Sequence, residues 1–277
     1  MSHDLNFGGP GQIADGDPGR HCQRFQGRVA LLTAAARGIG FASAVRLAGE
    51  GATVCITDRD ASALTEATAL AQTRGITLHT SVMDSSNAQD VERKIGQLLA
   101  SYGRIDILVN NAGGSLHTPF PFMLETDEHW KSVMDLNVMG AVWASKMVLP
   151  SMVQHGYGRI VNFGSKAGSY GSLIAGANYA AAKGAVTAMT RQMAQEYGPM
   201  GINVNCICPG VVMTERTAGL WAERRTEQER EQVLATIPVR RYCEVDDVAA
   251  AVAFLSSDDS GFITGVSLDI NGGQAMA

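Results

Sequence analysis

From Arg28 onward, short aliphatic or β-branched runs alternate with longer stretches of helical period, and this rhythm constrains the fold more than any other feature of the chain. The runs at Arg28–Thr33, Thr53–Thr57, Thr77–Val82, Ile105–Asn110, Arg159–Phe163, Ile202–Ile207 and Ser267–Ile270 read as strands. Helical patterns lie between them near Ile39–Glu50, Ser62–Arg74, Ala88–Tyr102, Val138–Gln154, Asn178–Tyr197 and Val245–Ser256. Strands separated by helices pair in parallel, because the crossover helix returns the chain to the same end of the sheet. The expected fold is α/β, a doubly wound parallel sheet in a single domain over residues 25–277. Residues 1–24 are rich in Gly, Asp and Pro, have no hydrophobic period, and read as a flexible leader. Two long irregular segments, Gly113–Thr126 and Pro209–Arg241, leave from strand ends on the side where open α/β sheets bind ligands. They are expected to shape a substrate pocket.

Composition narrows the partners. The 277 residues are 45% hydrophobic and 18% charged, with a net charge of -5 and no run of like charges. A nucleic-acid partner, which needs a basic face to release counterions, is not expected. No stretch approaches the ~18 apolar residues of a membrane span, and the N-terminus has no apolar signal core, so no membrane partner is expected and the protein reads as cytoplasmic. Five cysteines, an odd number scattered along the chain, suit reduced thiols. The tight pair Cys206 and Cys208 is read as facing opposite sides of a strand, with no second Cys or His cluster near, so no metal is expected.

Two local patterns carry chemistry. The first strand runs into Thr33-Ala34-Ala35-Ala36-Arg37-Gly38-Ile39-Gly40 and then a helix, where a Gly-containing turn lets backbone N–H groups approach a pyrophosphate. Asp58 ends the second strand 58 − 38 = 20 residues after Gly38, the spacing at which a carboxylate reaches the adenosine ribose hydroxyls. An ordinary strand–helix turn beside a helix-capping Asp would look the same. Tyr179 and Lys183, at i and i+4, share a helix face, so the ammonium can lie near the phenol. A phenol with a pKa near 10 is only about 0.1% ionised at neutral pH, and a positioned cation would make it a usable acid/base. The pair alone decides little, since about one would arise by chance in nine chains of this composition.

Taken together, the arrangement resembles the short-chain dehydrogenase/reductase family from Gly27 to the C-terminus. Thr33…Gly38-Ile39-Gly40 is similar to its nucleotide turn, Asn110-Asn111-Ala112-Gly113 to its fourth-strand motif, and Tyr179…Lys183 to its catalytic pair. Asn137, Ser165 after the fifth strand, and Pro209-Gly210…Thr214 after the sixth also match. The resemblance implies a Rossmann fold and a nicotinamide-dependent oxidoreductase that interconverts a secondary alcohol and a ketone. It assigns Tyr179 as general acid/base, Lys183 to the nicotinamide ribose and the Tyr179 pKa, Ser165 to the reacting oxygen, and Asn137 to a water linking Lys183 to solvent. The cofactor would touch Thr33, Arg37, Gly38, Ile39, Asp58, Asp84, Asn111, Ala112, Gly113, Pro209, Gly210 and Thr214, with Asp84 at the adenine and Ile207 and Thr214 at the nicotinamide end.

Two departures stand out. The family usually has Gly where this chain has Ala34, which implies weaker cofactor binding, and the stretch from Ser165 to Tyr179 is one residue longer than the commonest spacing. Asp58 disfavours a 2′-phosphate and favours NAD, while Arg37 and Arg59 keep NADP as the alternative. Lys166 could attract an anionic substrate or simply be a solvated loop lysine, and His117, Phe120, Phe122 and Trp221 could line the pocket or anchor loops. Trp221–Gln232 reads as an exposed lid helix. The apolar faces of Val138–Gln154 and Asn178–Tyr197 exceed what one sheet covers, which suggests a homotetramer or homodimer. Two other functions stay open: a ketoacyl-carrier-protein reductase, disfavoured by the scarcity of positive charge around Met152–Arg159, and a non-catalytic dinucleotide-sensing module.

Overall fold

The computed structural model describes residues 23–172 and 175–276, without the side chains of residues 215, 216, 220, 222 and 224. Residues 1–22 of the expected leader lie outside the described residues; Arg24 belongs to the domain, where it pairs with Glu50 at 2.6 Å. Seven strands form one parallel sheet: β1 Val29–Leu32, β2 Thr53–Asp58, β3 His79–Val82, β4 Ile107–Asn110, β5 Gly158–Phe163, β6 Ile202–Pro209 and β7 Ser267–Ile270. Their order is β3-β2-β1-β4-β5-β6-β7, with Leu32 level with Ile56 on one side and Val109 on the other. Every residue of β4 and β5 is buried, which is why these runs are mostly apolar rather than alternating.

The helices are α1 Gly38–Gly49, α2 Ala61–Gln72, α3 Ala88–Tyr102, α4 Asp127–Met134, α5 Gly140–His155, α6 Ala167–Tyr170, α7 Ala177–Tyr197, α8 Glu215–Arg224, α9 Glu227–Ala235 and α10 Val245–Ser256. Helices α1, α2 and α10 share one core with one face of the sheet (Leu47, Ala67, Val252 on Leu32 and Ile56), while α3, α5 and α7 cover the other (Ile95, Val148, Met193 on Leu108 and Ile160). Local chemistry sets the ends. Asp60 caps α2 by accepting from Ser62 and Ala63 N–H, both at 3.0 Å, and Gly103, at φ +74°, ends α3 in the left-handed region.

Four expectations need correction. The α4 segment is too polar to show in a search for apolar period, yet Thr126 and His129 close a capping box that starts it. With the π turn Asp135–Met139 it joins α5 in a helical run of 29 residues, Asp127–His155, long and apolar enough by length and composition to cross a membrane. Of its apolar window 44% is buried inside the domain, where α5 packs on the sheet as a core helix. The expected lid helix is two helices, broken at Arg225 because Thr226 caps α9, and Trp221 is buried rather than exposed. Cys206 and Cys208 face the same side of β6, as the two-residue period of a strand requires, with their sulfurs 4.0 Å apart. Their shared hydrogen bond and burial hold the Cys208 thiol above its ordinary range, and both sulfurs pack against Gly164.

Candidate active site

All strands run in parallel, so their carboxyl ends share one edge, and the order reverses between β1 and β4, where such sheets open a crevice. The residues singled out from the sequence gather along this edge. Thr33 follows β1, Asp58 ends β2, Asp84 follows β3, Asn111, Ala112 and Gly113 follow β4, Ser165 follows β5, and Pro209 ends β6.

The nucleotide turn is braced from β4. Asn111 Nδ2 donates to the carbonyls of Thr33 (3.0 Å) and Ala34 (2.7 Å), and Thr33 Oγ1 accepts from Ala112 N–H at 3.0 Å. Asn111 is thus a strut of the turn. Gly40 must be glycine because a Cβ there would come within 2.7 Å of both Asn111 Nδ2 and the Ala35 backbone. Gly38, at φ +58°, and the unusual residue of the turn, Ala34, at φ +49°, both lie in the left-handed region. Helix α1 begins at Arg37 with no side-chain cap, unlike α2, α3, α4, α8 and α9, so the first-turn N–H groups around Gly38 and Ile39 are left to an outside acceptor.

Asp58 lies under the same turn, Oδ2 accepting from Ala36 N–H at 3.3 Å and Oδ1 from Asp60 N–H at 3.1 Å. Arg37 reaches away along α2, at 3.0 Å from Glu66 and 3.8 Å from Asp60. Asp84 closes a short turn by accepting from Ser86 N–H at 2.9 Å.

The reactive end is built on α7. Lys183, 3% exposed, donates from Nζ to the Phe163 carbonyl at the end of β5 (2.7 Å) and lies 5.7 Å from the centre of the Tyr179 ring. A Cβ on Gly113 would fall 2.9 Å from Lys183 Nζ and 2.7 Å from Asn137 Oδ1, so this glycine lets both groups converge on the backbone. Asn137 sits in the π turn, where its amide donates to the carbonyls of Gly114 and Val133 (2.9 Å each) and its oxygen accepts from Gly114 N–H (3.0 Å). The extra residue of a π turn frees the Val133 carbonyl for that contact. Ser165 Oγ accepts from Ala167 N–H at 3.1 Å, which fixes the hydroxyl at the start of α6.

Thr214 caps α8, its Oγ1 accepting from Thr217 N–H at 3.2 Å, and its methyl stands 3.3 Å from where a Gly38 Cβ would be. The segment after β6 therefore folds back over the nucleotide turn. Gly210 lies against Asn271, and Lys166 starts α6, half-buried. His117 and Phe122 are exposed on the loop after β4. The side chain of Ile207 is fully buried in the core under α1 and α10. Trp221 is an anchor, edge-on to Tyr242 with ring centres 6.1 Å apart.

Sequence reasoning missed a buried polar chain beneath these groups. Asn110 Nδ2 donates to Ser145 Oγ (3.1 Å) and to Asn162 Oδ1 (2.8 Å), Asn162 Nδ2 donates to Thr190 Oγ1 (2.9 Å), and all four residues are buried. It links β4, β5, α5 and α7 under the helix that carries Tyr179 and Lys183. The available signal was an Asn at the end of two otherwise apolar strands.

These features fit a dinucleotide: uncapped N–H groups at α1 for a pyrophosphate, an acidic strand end for a ribose, and a buried ammonium beside a phenol at the other end. A family model described as enoyl-(acyl carrier protein) reductase matches residues 33–275. The chain is 38% identical over 252 residues to a 3-oxoacyl-(acyl-carrier-protein) reductase of Haemophilus influenzae, covering 91% of this chain and 100% of the relative. It is 35% identical to an acetoacetyl-CoA reductase of Allochromatium vinosum, covering 90% and 99%. The crystal structure of levodione reductase superposes with a TM-score of 0.84 at 33% identity, covering 91% of this chain and 98% of that one. The chain belongs to the short-chain dehydrogenase/reductase family and is an NAD(P)-dependent oxidoreductase that interconverts alcohol and keto groups.

Proposed function

We propose that Tyr179 is the general acid/base of this oxidoreductase, that its cofactor is NAD, and that its substrate is a secondary alcohol or the matching ketone. The observation that carries the reading is the buried Lys183 ammonium, held by the Phe163 carbonyl at 2.7 Å and facing the Tyr179 ring. A cation fixed beside a phenol favours the phenolate, so Tyr179 can take the proton of a substrate hydroxyl and return it to a ketone oxygen. Bound nicotinamide would supply or accept the hydride. Ser165 would hydrogen-bond the reacting oxygen as charge builds there, Lys183 would also hold the nicotinamide ribose, and Asn137 would hold a water by Lys183.

NAD is favoured over NADP because the Asp58 carboxylate stands at the carboxyl end of β2, where it would meet the adenosine ribose, while Arg37 is engaged with Glu66 and Asp60. A second substrate reading, a 3-oxoacyl thioester, draws on the names of the two relatives and on the exposed apolar side chains of Phe120, Phe122, Met123 and Leu124 beside the site loop. Against an acidic carrier at the end of α5, Arg159 is buried and paired with Asp258 at 2.9 Å, and so adds no free positive charge to that surface. Partly exposed Trp143 and Met147 on α5 and Ala185 and Met189 on α7 support pairing of copies through these helices, a dimer or tetramer that light scattering would detect. The functional test is a panel of secondary alcohols, diols, cyclic ketones, acetoacetyl-CoA and an acetoacetyl carrier protein, followed by nicotinamide absorbance with each cofactor. Turnover with NAD exceeding that with NADP supports the reading; turnover with NADP alone overturns the cofactor assignment.

A further inference from the structure

Helix α7 carries Tyr179 in its first turn and Lys183 in its second, yet it starts at Gly176, which has no side chain to cap it. Glu125, 53 positions before Asn178, does so. The Glu125 carboxylate accepts from the Asn178 backbone N–H, Oε2 at 3.1 Å and Oε1 at 3.4 Å. A Cβ on Gly176 would overlap Oε1 and lie 2.8 Å from the Pro119 carbonyl, so the missing side chain at 176 is the opening through which Glu125 reaches the helix. A second tie lies alongside: Thr118 Oγ1 and the Asn178 side-chain amide meet at 3.3 Å, with Thr118 4% exposed and Asn178 fully buried. Asn137 holds the other end of the same loop at Gly114. The loop after β4 is therefore fastened at one end beside Lys183 and at the other to the residue preceding Tyr179.

We propose that Glu125 is a positioning residue: it clasps the loop that frames the substrate onto the start of α7, and so fixes Tyr179 relative to a bound substrate. The inference rests on the acid/base reading of Tyr179. A carboxylate suits this place because the first N–H groups of a helix lack internal partners and carry partial positive charge. Gly176, at φ −81°, has a backbone that alanine also adopts, so Gly176→Ala displaces the carboxylate, together with the Pro119 carbonyl, without removing the acid.

The test compares the full-length wild type with Glu125→Ala, Glu125→Gln and Gly176→Ala. Readouts are hydrogen exchange of the first turn of α7, NAD affinity by titration, and kcat and KM for the panel substrate of highest turnover. Glu125→Ala and Gly176→Ala should speed exchange at Asn178 and lower kcat/KM by about two- to thirtyfold, the range of a lost helix cap, through both a lower kcat and a higher KM. The NAD affinity should stay within about twofold, because the nucleotide turn is braced from Asn111 and not from this loop. Glu125→Gln keeps an acceptor oxygen and should restore most of the loss. Unchanged exchange and unchanged kcat/KM in Glu125→Ala would overturn the clasp, as would a parallel loss of NAD affinity, the mark of general destabilisation. If Tyr179→Phe is inactive while Glu125→Ala behaves as wild type, only the clasp fails; an active Tyr179→Phe removes the reading beneath it.

Discussion

The Asn111 side-chain amide donates to the Ala34 carbonyl at 2.7 Å, across the gap between β4 and the turn after β1, and so holds an alanine at φ +49°. A residue with a Cβ in that region costs roughly 1 kcal/mol. Ala34→Gly removes the strain and the methyl together and should tighten NAD binding by up to about fivefold. Folding stability need not rise, because glycine adds entropy to the unfolded chain. Isothermal titration of both proteins with NAD checks this, and equal or weaker binding by the glycine variant would mean that the turn has adapted to alanine.

The proposed preference for NAD rests on Asp58. Asp58→Ala removes a like charge from a 2′-phosphate and should shift the NADP-to-NAD affinity ratio by about 5- to 150-fold, or about 1–3 kcal/mol. Dissociation constants for both cofactors decide the matter; an unchanged ratio means that the carboxylate does not face the ribose.

Glu50 ties the start of the domain to α1 and gives folding a pH dependence. It is 6% exposed, accepts from Arg24 Nε and Nη2 at 2.6 and 3.0 Å, and pairs with Arg46. Burial pushes its carboxyl up, but the two guanidinium groups outweigh that and hold it below the ordinary 4.5. A depressed folded value means that the stabilisation is fully present above the unfolded pKa and fades as pH falls through the folded one. Glu50→Gln should therefore be about 1–3 kcal/mol less stable than wild type at neutral pH. That gap should hold down to about pH 5 and narrow below about pH 4.5. Urea midpoints across this range test the sign, and a gap that stays constant to about pH 3.5 would contradict it.

The interior of the sheet was legible in the sequence because parallel strands buried on both faces must be largely apolar runs, as β1, β2, β4, β5 and β6 are, whereas the edge strands β3 (His79–Val82) and β7 (Ser267–Ile270) are more polar and more exposed. Tyr179, Lys183 and Asp58 were legible because spacing along one helix or across one βαβ unit is a local quantity. The roles of Glu125, Asn162 and Thr190 were not. Each depends on a partner tens of residues away, and a lone polar residue carries no mark of which backbone group it will meet. Helix α4 escaped for a different reason, since its start is set by the Thr126–His129 capping box rather than by an apolar stripe. The shared face of Cys206 and Cys208, by contrast, is contained in the sequence, because strand periodicity alone puts both on one side of β6.

In the proposed reaction Tyr179 exchanges the substrate proton, with Lys183 held beside it by the Phe163 carbonyl. The most direct measurement pairs the NAD dissociation constant with turnover for wild type and Tyr179→Phe on the best panel substrate. The phenylalanine ring preserves the packing and removes only the hydroxyl, so NAD affinity should remain within about threefold while turnover falls by about 100-fold or more, as expected for loss of a general acid/base. A Tyr179→Phe enzyme that keeps more than about a tenth of wild-type turnover would contradict the assignment.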